Sequence, residues 1–264
     1  MKYPSTLPVA QRLILERIVD SLSQDQRILA IGGSGSFASN SMDEYSDLDL
    51  VIVINPDNYD EVMQQRINIL DTIEGKIAAF TGEHVGEPRL IISLFTPGLI
   101  HVDFKFVSLS DAAARVDDTQ VIWERNGVLT EIYTNSTHHY PQPDIQWIED
   151  RFWVWMHYAT GKIARGEYFE ALEFLSFLRF IVLSPLALKQ HGLTPSGVRW
   201  IEKRLPEFSQ QLKATVANVN RESLVSAYEN VISIYLELRE NEQVEINQQA
   251  QTLTLEYFKQ KLTS

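Results

Sequence analysis

Three aspartates and a glycine-serine turn are the residues of this sequence whose types and spacing suggest chemistry. Asp47 and Asp49 stand two apart at the head of the run Leu48-Asp49-Leu50-Val51-Ile52-Val53-Ile54. In an extended strand such residues point to one face, so both carboxylates project together while Leu48 and Leu50 face a core. Two carboxylates so placed repel unless a cation lies between them. Their hard oxygens suit Mg²⁺, which keeps several waters and takes further oxygens from a substrate phosphate. Upstream, Gly32, Gly33 and Gly35 permit positive φ and close approach of backbone N–H groups to an anion, with Ser34 and Ser36 as hydroxyl donors. A helix starting near Phe37 would aim its positive end at the same anion. Farther on, residues 101–107 (HVDFKFV) alternate, so Asp103 shares a face with His101 and Lys105. If that strand pairs beside the Asp49 strand, three carboxylates converge. Such a cluster can hold two metal ions, one activating a hydroxyl and one binding a triphosphate, which is phosphoryl- or nucleotidyl-transfer chemistry.

These residues need elements to position them. Leu15, Ile18, Val19 and Leu22 recur at helical spacing, predicting an amphipathic helix from Leu7 to Ser23. Short strands follow at Ile28 to Ile31 and Leu48 to Ile54, the second stopped by Asn55-Pro56. Helical periodicity returns from Tyr59 to Phe80. Leu90 to Phe95 and Ile100 to Leu109 read as two strands joined by Thr96-Pro97-Gly98, an antiparallel hairpin. Strand signals fade after Ser110, and the polar, proline-bearing stretch from Thr134 to Pro143 reads as a linker, predicting domains at residues 1–142 and 143–264. The second is nearly all helical: Ile145 to Arg165, Tyr168 to Gln190 with a Gly192 stop, Pro195 to Lys203, and two later segments ending at Leu262. The fold class is α+β, an α/β half followed by a helical half.

Composition narrows the partners. The 264 residues carry 35 acidic against 23 basic side chains, a formal net charge of −12. A nucleic-acid acceptor is disfavoured, because backbone binding needs a basic face, and a small or cationic acceptor suits the balance better. The chain has no cysteine, which excludes disulfides, thiolate metal sites and cysteine nucleophiles, so a metal must be held by oxygen or imidazole. No uninterrupted apolar run approaches the roughly 20 residues of a membrane span, since Arg179 and Pro185 break the richest stretch. The amphipathic N-terminus lacks the layout of a signal peptide, which places the chain in the cytoplasm. His138 and His139 read as a solvated loop, and His101 as a hydrogen-bond partner of a neighbour. Lys105 could neutralise phosphate charge from Asp103's face.

The Gly35-Ser36 turn followed by Ser46-Asp47-Leu48-Asp49-Leu50 resembles the signature of the DNA polymerase β-like nucleotidyltransferases, in which a Gly-Ser turn precedes an acidic-hydrophobic-acidic strand by about ten residues. The resemblance covers roughly the first half of the chain. It implies a small mixed sheet flanked by helices, with Gly35 and Ser36 at the nucleotide phosphates. It also implies Asp47 and Asp49 as ligands of two Mg²⁺ ions, and Asp103 as a ligand of the catalytic metal, helping to activate the acceptor hydroxyl. Many members carry a glycine four residues after the serine; here that residue is Asn40, which tolerates unusual φ. Residues 150–170 resemble, more loosely, the aromatic helix of aminoglycoside adenylyltransferases of the streptomycin-modifying kind. That second resemblance implies Lys162 at the triphosphate and Glu149 or Asp150 as an acceptor-side base, while Trp153, Trp155 and Tyr158 read as core. The expected reaction moves a nucleoside monophosphate, AMP from ATP, to a hydroxyl of a small acceptor such as an aminoglycoside-like antibiotic. The rivals are adenylylation of a protein or tRNA partner, as an antitoxin-like enzyme performs, and nucleotide binding without turnover.

Overall fold

A computed structural model describes residues 3–262. The chain divides into two compact units, with the division between Tyr140 and Pro141.

The first unit is a six-stranded mixed sheet with helices on both faces. In chain order it runs α1 (Val9–Leu22), β1 (Ile28–Ser34), α2 (Gly35–Ala38), β2 (Leu48–Ile54), α3 (Tyr59–Leu70), β3 (Lys76–Gly82), β4 (Glu87–Phe95), β5 (Ile100–Ser108), β6 (Thr119–Glu124) and α4 (Val128–Thr134). The strand order is β3-β4-β5-β2-β1-β6. β2 and β5 pair in parallel, and the other neighbours pair antiparallel.

The two faces of the sheet are covered unequally. Leu48, Leu50, Ile52 and Ile54 of β2 lie with Val102, Phe104 and Phe106 of β5 under Ile14, Leu15, Ile18 and Leu22 of α1 and Val62, Ile69 and Leu70 of α3. On the opposite face a smaller core of Ala30, Val53, Val107, Ala112 and Leu129 covers only the C-terminal ends of β2 and β5. β2 is therefore apolar on both sides at that end, as a strand covered on both faces must be, and carries its one acid, Asp49, where the second cover stops.

Three expectations change. The helical reading from Tyr59 to Phe80 stops at Leu70. Gly75, at φ +96, turns the chain, and Lys76–Gly82 becomes an edge strand on β4. The strand β6 carries too little alternation to stand out, yet it pairs along β1. The helix expected from Phe37 is one turn, Gly35–Ala38, too short for its dipole to contribute much.

The second unit is helical: α5 (Ile145–Ala164), α6 (Tyr168–Leu178), α7 (Ser184–Gln190), α8 (Ile201–Arg204), α9 (Pro206–Lys213), α10 (Arg221–Glu240) and α11 (Gln248–Leu262). A five-residue π stretch, Arg179–Leu183, joins α6 to α7. It absorbs Pro185, whose missing N–H and ring would otherwise break the ladder at Ile181. The continuous stretch Tyr168–Gln190 spans 23 residues at hydropathy 1.8, and 56% of its most apolar window is buried in the unit. By length and composition alone it could cross a membrane; its apolar run is still interrupted by Arg179 and Pro185, as read from the sequence. The helix predicted from Pro195 to Lys203 is a loop until Ile201, because Trp200 sits at φ 55.

Candidate active site

Parallel pairing in register sets the site. Asp49 of β2 stands opposite Asp103 of β5, one strand spacing of about 4.8 Å away along the sheet. Both point to the thinly covered face, since Leu48, Leu50, Val102 and Phe104 on either side of them lie in the larger core. Asp47 is one residue before the strand. It lies close enough for its charge to act on Asp103, whose carboxyl burial holds above the usual carboxylate range; the Asp47 charge adds to this, and the His101 bond opposes it. His101 Nε2 lies 2.8 Å from Asp103 Oδ1, so the histidine is a partner of the carboxylate, as its shared face suggested.

The glycine-serine turn closes the other side. Gly35 is in the left-handed region at φ +59, and a Cβ there would stand 2.6 Å from Asp49 Oδ2. Only glycine lets the turn pass so close to this carboxylate. Gly33 is constrained by space alone, because a Cβ would lie 2.6 Å from the Phe37 ring. Ser34 donates its hydroxyl to the Asp49 carbonyl at 3.3 Å and is thus engaged within the sheet, which leaves Ser36 as the turn's hydroxyl for a ligand. Asn40 does adopt the left-handed conformation, at φ 52, and its Oδ1 accepts from the Thr6 N–H at 3.3 Å and the Ser5 hydroxyl at 3.2 Å. The asparagine supplies both the turn and a tie to the N-terminal segment.

The donors fit a divalent cation of the magnesium type. They are carboxylate oxygens on neighbouring positions, with an anion-binding turn against one of them. Among the described residues no group of three or more His, Asp or Glu side chains is placed to hold a metal ion. Magnesium does not need one, because it is held by one or two carboxylates together with water and substrate phosphates.

Lys105, two residues along from Asp103, has its Nζ 3.1 Å from Glu87 Oε2, and Arg89 reaches the same carboxylate at 2.7 Å. The hydrogen bond from Arg89, followed by that from Lys105, holds Glu87 well below the usual range, at about 2.

The acceptor-side residues expected from the helical half stand differently. Glu149 is 2% exposed. Its Oε1 accepts from Trp153 Nε1 at 3.1 Å and Arg239 at 3.0 Å, and its Oε2 accepts from the Tyr235 hydroxyl at 2.5 Å. Both carboxylate oxygens are engaged, so the expected acceptor-facing carboxylate is instead the hydrogen-bond acceptor of a buried network. α5 turns it inward with Phe152 and Trp153, a phase that the polar residue type concealed. Asp150, the next residue, is exposed and accepts from Gln146 at 2.8 Å. Lys162 is held by Glu167 at 2.7 Å and Glu170 at 2.8 Å and would reach a triphosphate only by leaving both. Trp153 is core as read, whereas Tyr158 is 43% exposed and donates to Glu170.

Comparison with known proteins bears on this arrangement. Residues 15–97 match the family described as nucleotidyltransferase domain, a span that includes the glycine-serine turn, Asp47 and Asp49. None of the curated proteins matches the sequence. Among solved structures, an aminoglycoside 6-adenyltransferase from Bacillus subtilis aligns over 95% of this chain and 98% of its own at 14% identity and a TM-score of 0.40. A nucleotidyltransferase-like protein from Exiguobacterium sibiricum aligns over 86% and 74% at 12% identity and a TM-score of 0.40. A CdnE cyclic dinucleotide synthase from Elizabethkingia meningoseptica aligns over 88% and 78% at 12% identity and a TM-score of 0.30.

Proposed function

We propose, from a match of residues 15–97 to the nucleotidyltransferase-domain family, a magnesium-dependent enzyme that moves a nucleoside monophosphate, AMP from ATP, to a hydroxyl of a small acceptor. The observation that carries this is the placement of Asp49 beside Asp103 in parallel register, with Gly35 packed on the Asp49 carboxylate. Asp47, Asp49 and Asp103 would hold the metal. Bound there, Mg²⁺ would supply charge neutralisation of the triphosphate and activation of the acceptor hydroxyl.

The chain's own residues do the rest. Backbone N–H groups at Gly35 and Ser36, with the Ser36 hydroxyl, bind and orient the phosphates. The acceptor oxygen forms a bond to the α-phosphorus as the bond from that phosphorus to its bridging oxygen breaks, and pyrophosphate leaves with the electron pair. The hydroxyl proton passes to the carboxylate of Asp103, on the strand next to Asp49. His101 orients that carboxylate. The net charge of −12 favours a cationic acceptor, of which an aminoglycoside-like antibiotic is the leading candidate, and disfavours nucleic acid. Nucleoside triphosphates are a cytoplasmic resource, and the cytoplasm is where we place the reaction.

The test is pyrophosphate release with ATP, GTP and CTP across aminoglycosides, lincosamides and simple polyols, with and without a chelator. We expect release that requires Mg²⁺ and is abolished in Asp47→Ala and Asp49→Ala, with circular dichroism unchanged. Normal turnover by either variant would overturn the mechanism. Label appearing on a co-purified protein rather than on any small molecule would move the acceptor to a protein.

A further inference from the structure

Beyond Asp103 the sheet carries an apolar face that neither core of the first unit uses. Along β4, Ile91 and Phe95 are fully buried in the larger core, so Leu90, Ile92 and Leu94 alternate onto the opposite face. They belong to neither core cluster and are only half-buried. The edge strand β3 extends the surface: Phe80 is the register partner of Ile92, and Ala78 of Leu94. Phe80 is 51% exposed. The open face of an antiparallel sheet ordinarily alternates to polar residues, and an edge strand is ordinarily defended by charge. Here five apolar side chains lie together where both rules ask for polar ones.

This surface is continuous with the site. Ile92 stands opposite Asp103, Leu94 opposite His101 and Leu90 opposite Lys105. Side chains so paired have Cβ atoms about 5 Å apart, so the apolar floor begins within one side chain's reach of the carboxylate that takes the acceptor's proton. Its charged rim is internally paired, because Glu87 engages both Lys105 and Arg89. The direction of the acceptor follows from the strand order. Going from Asp103 toward β1, the sheet leads to Asp49 and the glycine-serine turn, where the phosphates would lie. A group attached to the attacking oxygen must extend the other way, over β4 and β3.

We propose that Leu90, Ile92, Leu94 and Phe80 are the floor on which the acceptor lies, and that the acceptor is a hydroxyl compound with an alkyl or aromatic face rather than a uniformly polar one. This rests on the nucleotidyl-transfer reading for what stands over Asp103. A positive charge elsewhere on the acceptor is compatible with it.

The experiment uses the full chain and a neutral apolar fluorophore, N-phenyl-1-naphthylamine, as the probe. The wild type should bind it saturably. Ile92→Ser and Leu94→Ser, which touch neither core and keep the fold, should each weaken binding about tenfold, as loss of an aliphatic contact does. Mn²⁺ added in place of Mg²⁺ should broaden the bound probe's proton resonances in the wild type but not in Asp49→Asn. Absence of saturable binding, or binding by both serine variants equal to that of the wild type, overturns the proposal. Calorimetry with a non-hydrolysable ATP analogue and Mg²⁺ separates the two readings. If nucleotide binds and the serine substitutions have no effect on the probe, the apolar floor alone fails. If the wild type binds no nucleotide, the transfer reading fails and the acceptor assignment with it.

Discussion

Replacing Gly35 by alanine tests the site through one methyl group. The added carbon would stand 2.6 Å from Asp49 Oδ2, while ordinary contact begins at 3.4 Å, so the carboxylate or the turn must move by 3.4 − 2.6 = 0.8 Å. The left-handed backbone, φ +59, costs an alanine about 1–2 kcal/mol in addition. Gly86 provides the control: its φ is +77, and a Cβ there meets nothing within 4 Å. Gly86→Ala should lower stability by about 1–2 kcal/mol, a fall in Tm of about 2–8 °C, and Gly35→Ala by at least as much. Only Gly35→Ala should lose activity. A misplacement approaching 1 Å at a reacting centre costs about 100-fold, and that is the loss expected in pyrophosphate release at saturating ATP, with weakened Mg²⁺-dependent nucleotide binding in calorimetry. Turnover by Gly35→Ala within about threefold of Gly86→Ala would refute the claim that the turn and the Asp49 carboxylate form one unit.

Further outcomes follow from the same geometry. Glu149→Ala should destabilise the chain by about 3–5 kcal/mol in urea denaturation, because it leaves the Arg239 charge buried without its partner; a loss under about 1 kcal/mol would contradict a structural role for the network. Glu149→Gln, if the residue were an acceptor-side base, would instead lose turnover with stability intact. Asn40→Ala should be less stable than Asn40→Gly by about 1 kcal/mol, since both lose the bonds to Ser5 and Thr6 but only alanine is strained at φ 52; equal melting temperatures would show that strain there is negligible. Glu87 is depressed from 4.5 to about 2, so its stabilising effect is complete above pH 4.5 and is lost as pH falls through 2. The stability gap between wild type and Glu87→Gln should therefore be constant above pH 4.5 and shrink below it, and a gap that does not vary with pH would count against the Arg89 and Lys105 pairing.

Where residue pattern and backbone period coincide, the sequence was readable. The β-branched run after Asp47 and the turn residues at Thr96-Pro97-Gly98 announced β2 and the β4–β5 hairpin, because a strand's alternation and a turn's φ requirements are local properties. Asn40 was likewise legible as a residue able to take positive φ. The elements that were missed are those that neighbours create. Lys76–Gly82 has helix-compatible residues and becomes a strand only because β4 offers an open edge. Thr119–Glu124 becomes one because β1 does. Glu149 and Asp150 read alike as candidates for an acceptor-side base, and one helical step of 100° per residue separates the exposed carboxylate from the buried one.

The sequence by itself determined which residues could do chemistry: a glycine-serine turn, an acidic pair at the head of one strand and a third acid on a later strand. Side-chain direction alternates along a strand whatever surrounds it, so Asp49 was set opposite Leu48 and Leu50 before any fold was known, whereas Asp47 proves to stand one residue before the strand. Only the tertiary structure decided that β5 lies parallel to β2 in a register that sets Asp103 against Asp49. Strand order and register depend on contacts between residues 54 positions apart, here 103 − 49, and a shift of one residue would turn Asp103 into the core. The same long-range pairing places Ile92 and Leu94 beside the carboxylates, and so decides what kind of molecule can lie there.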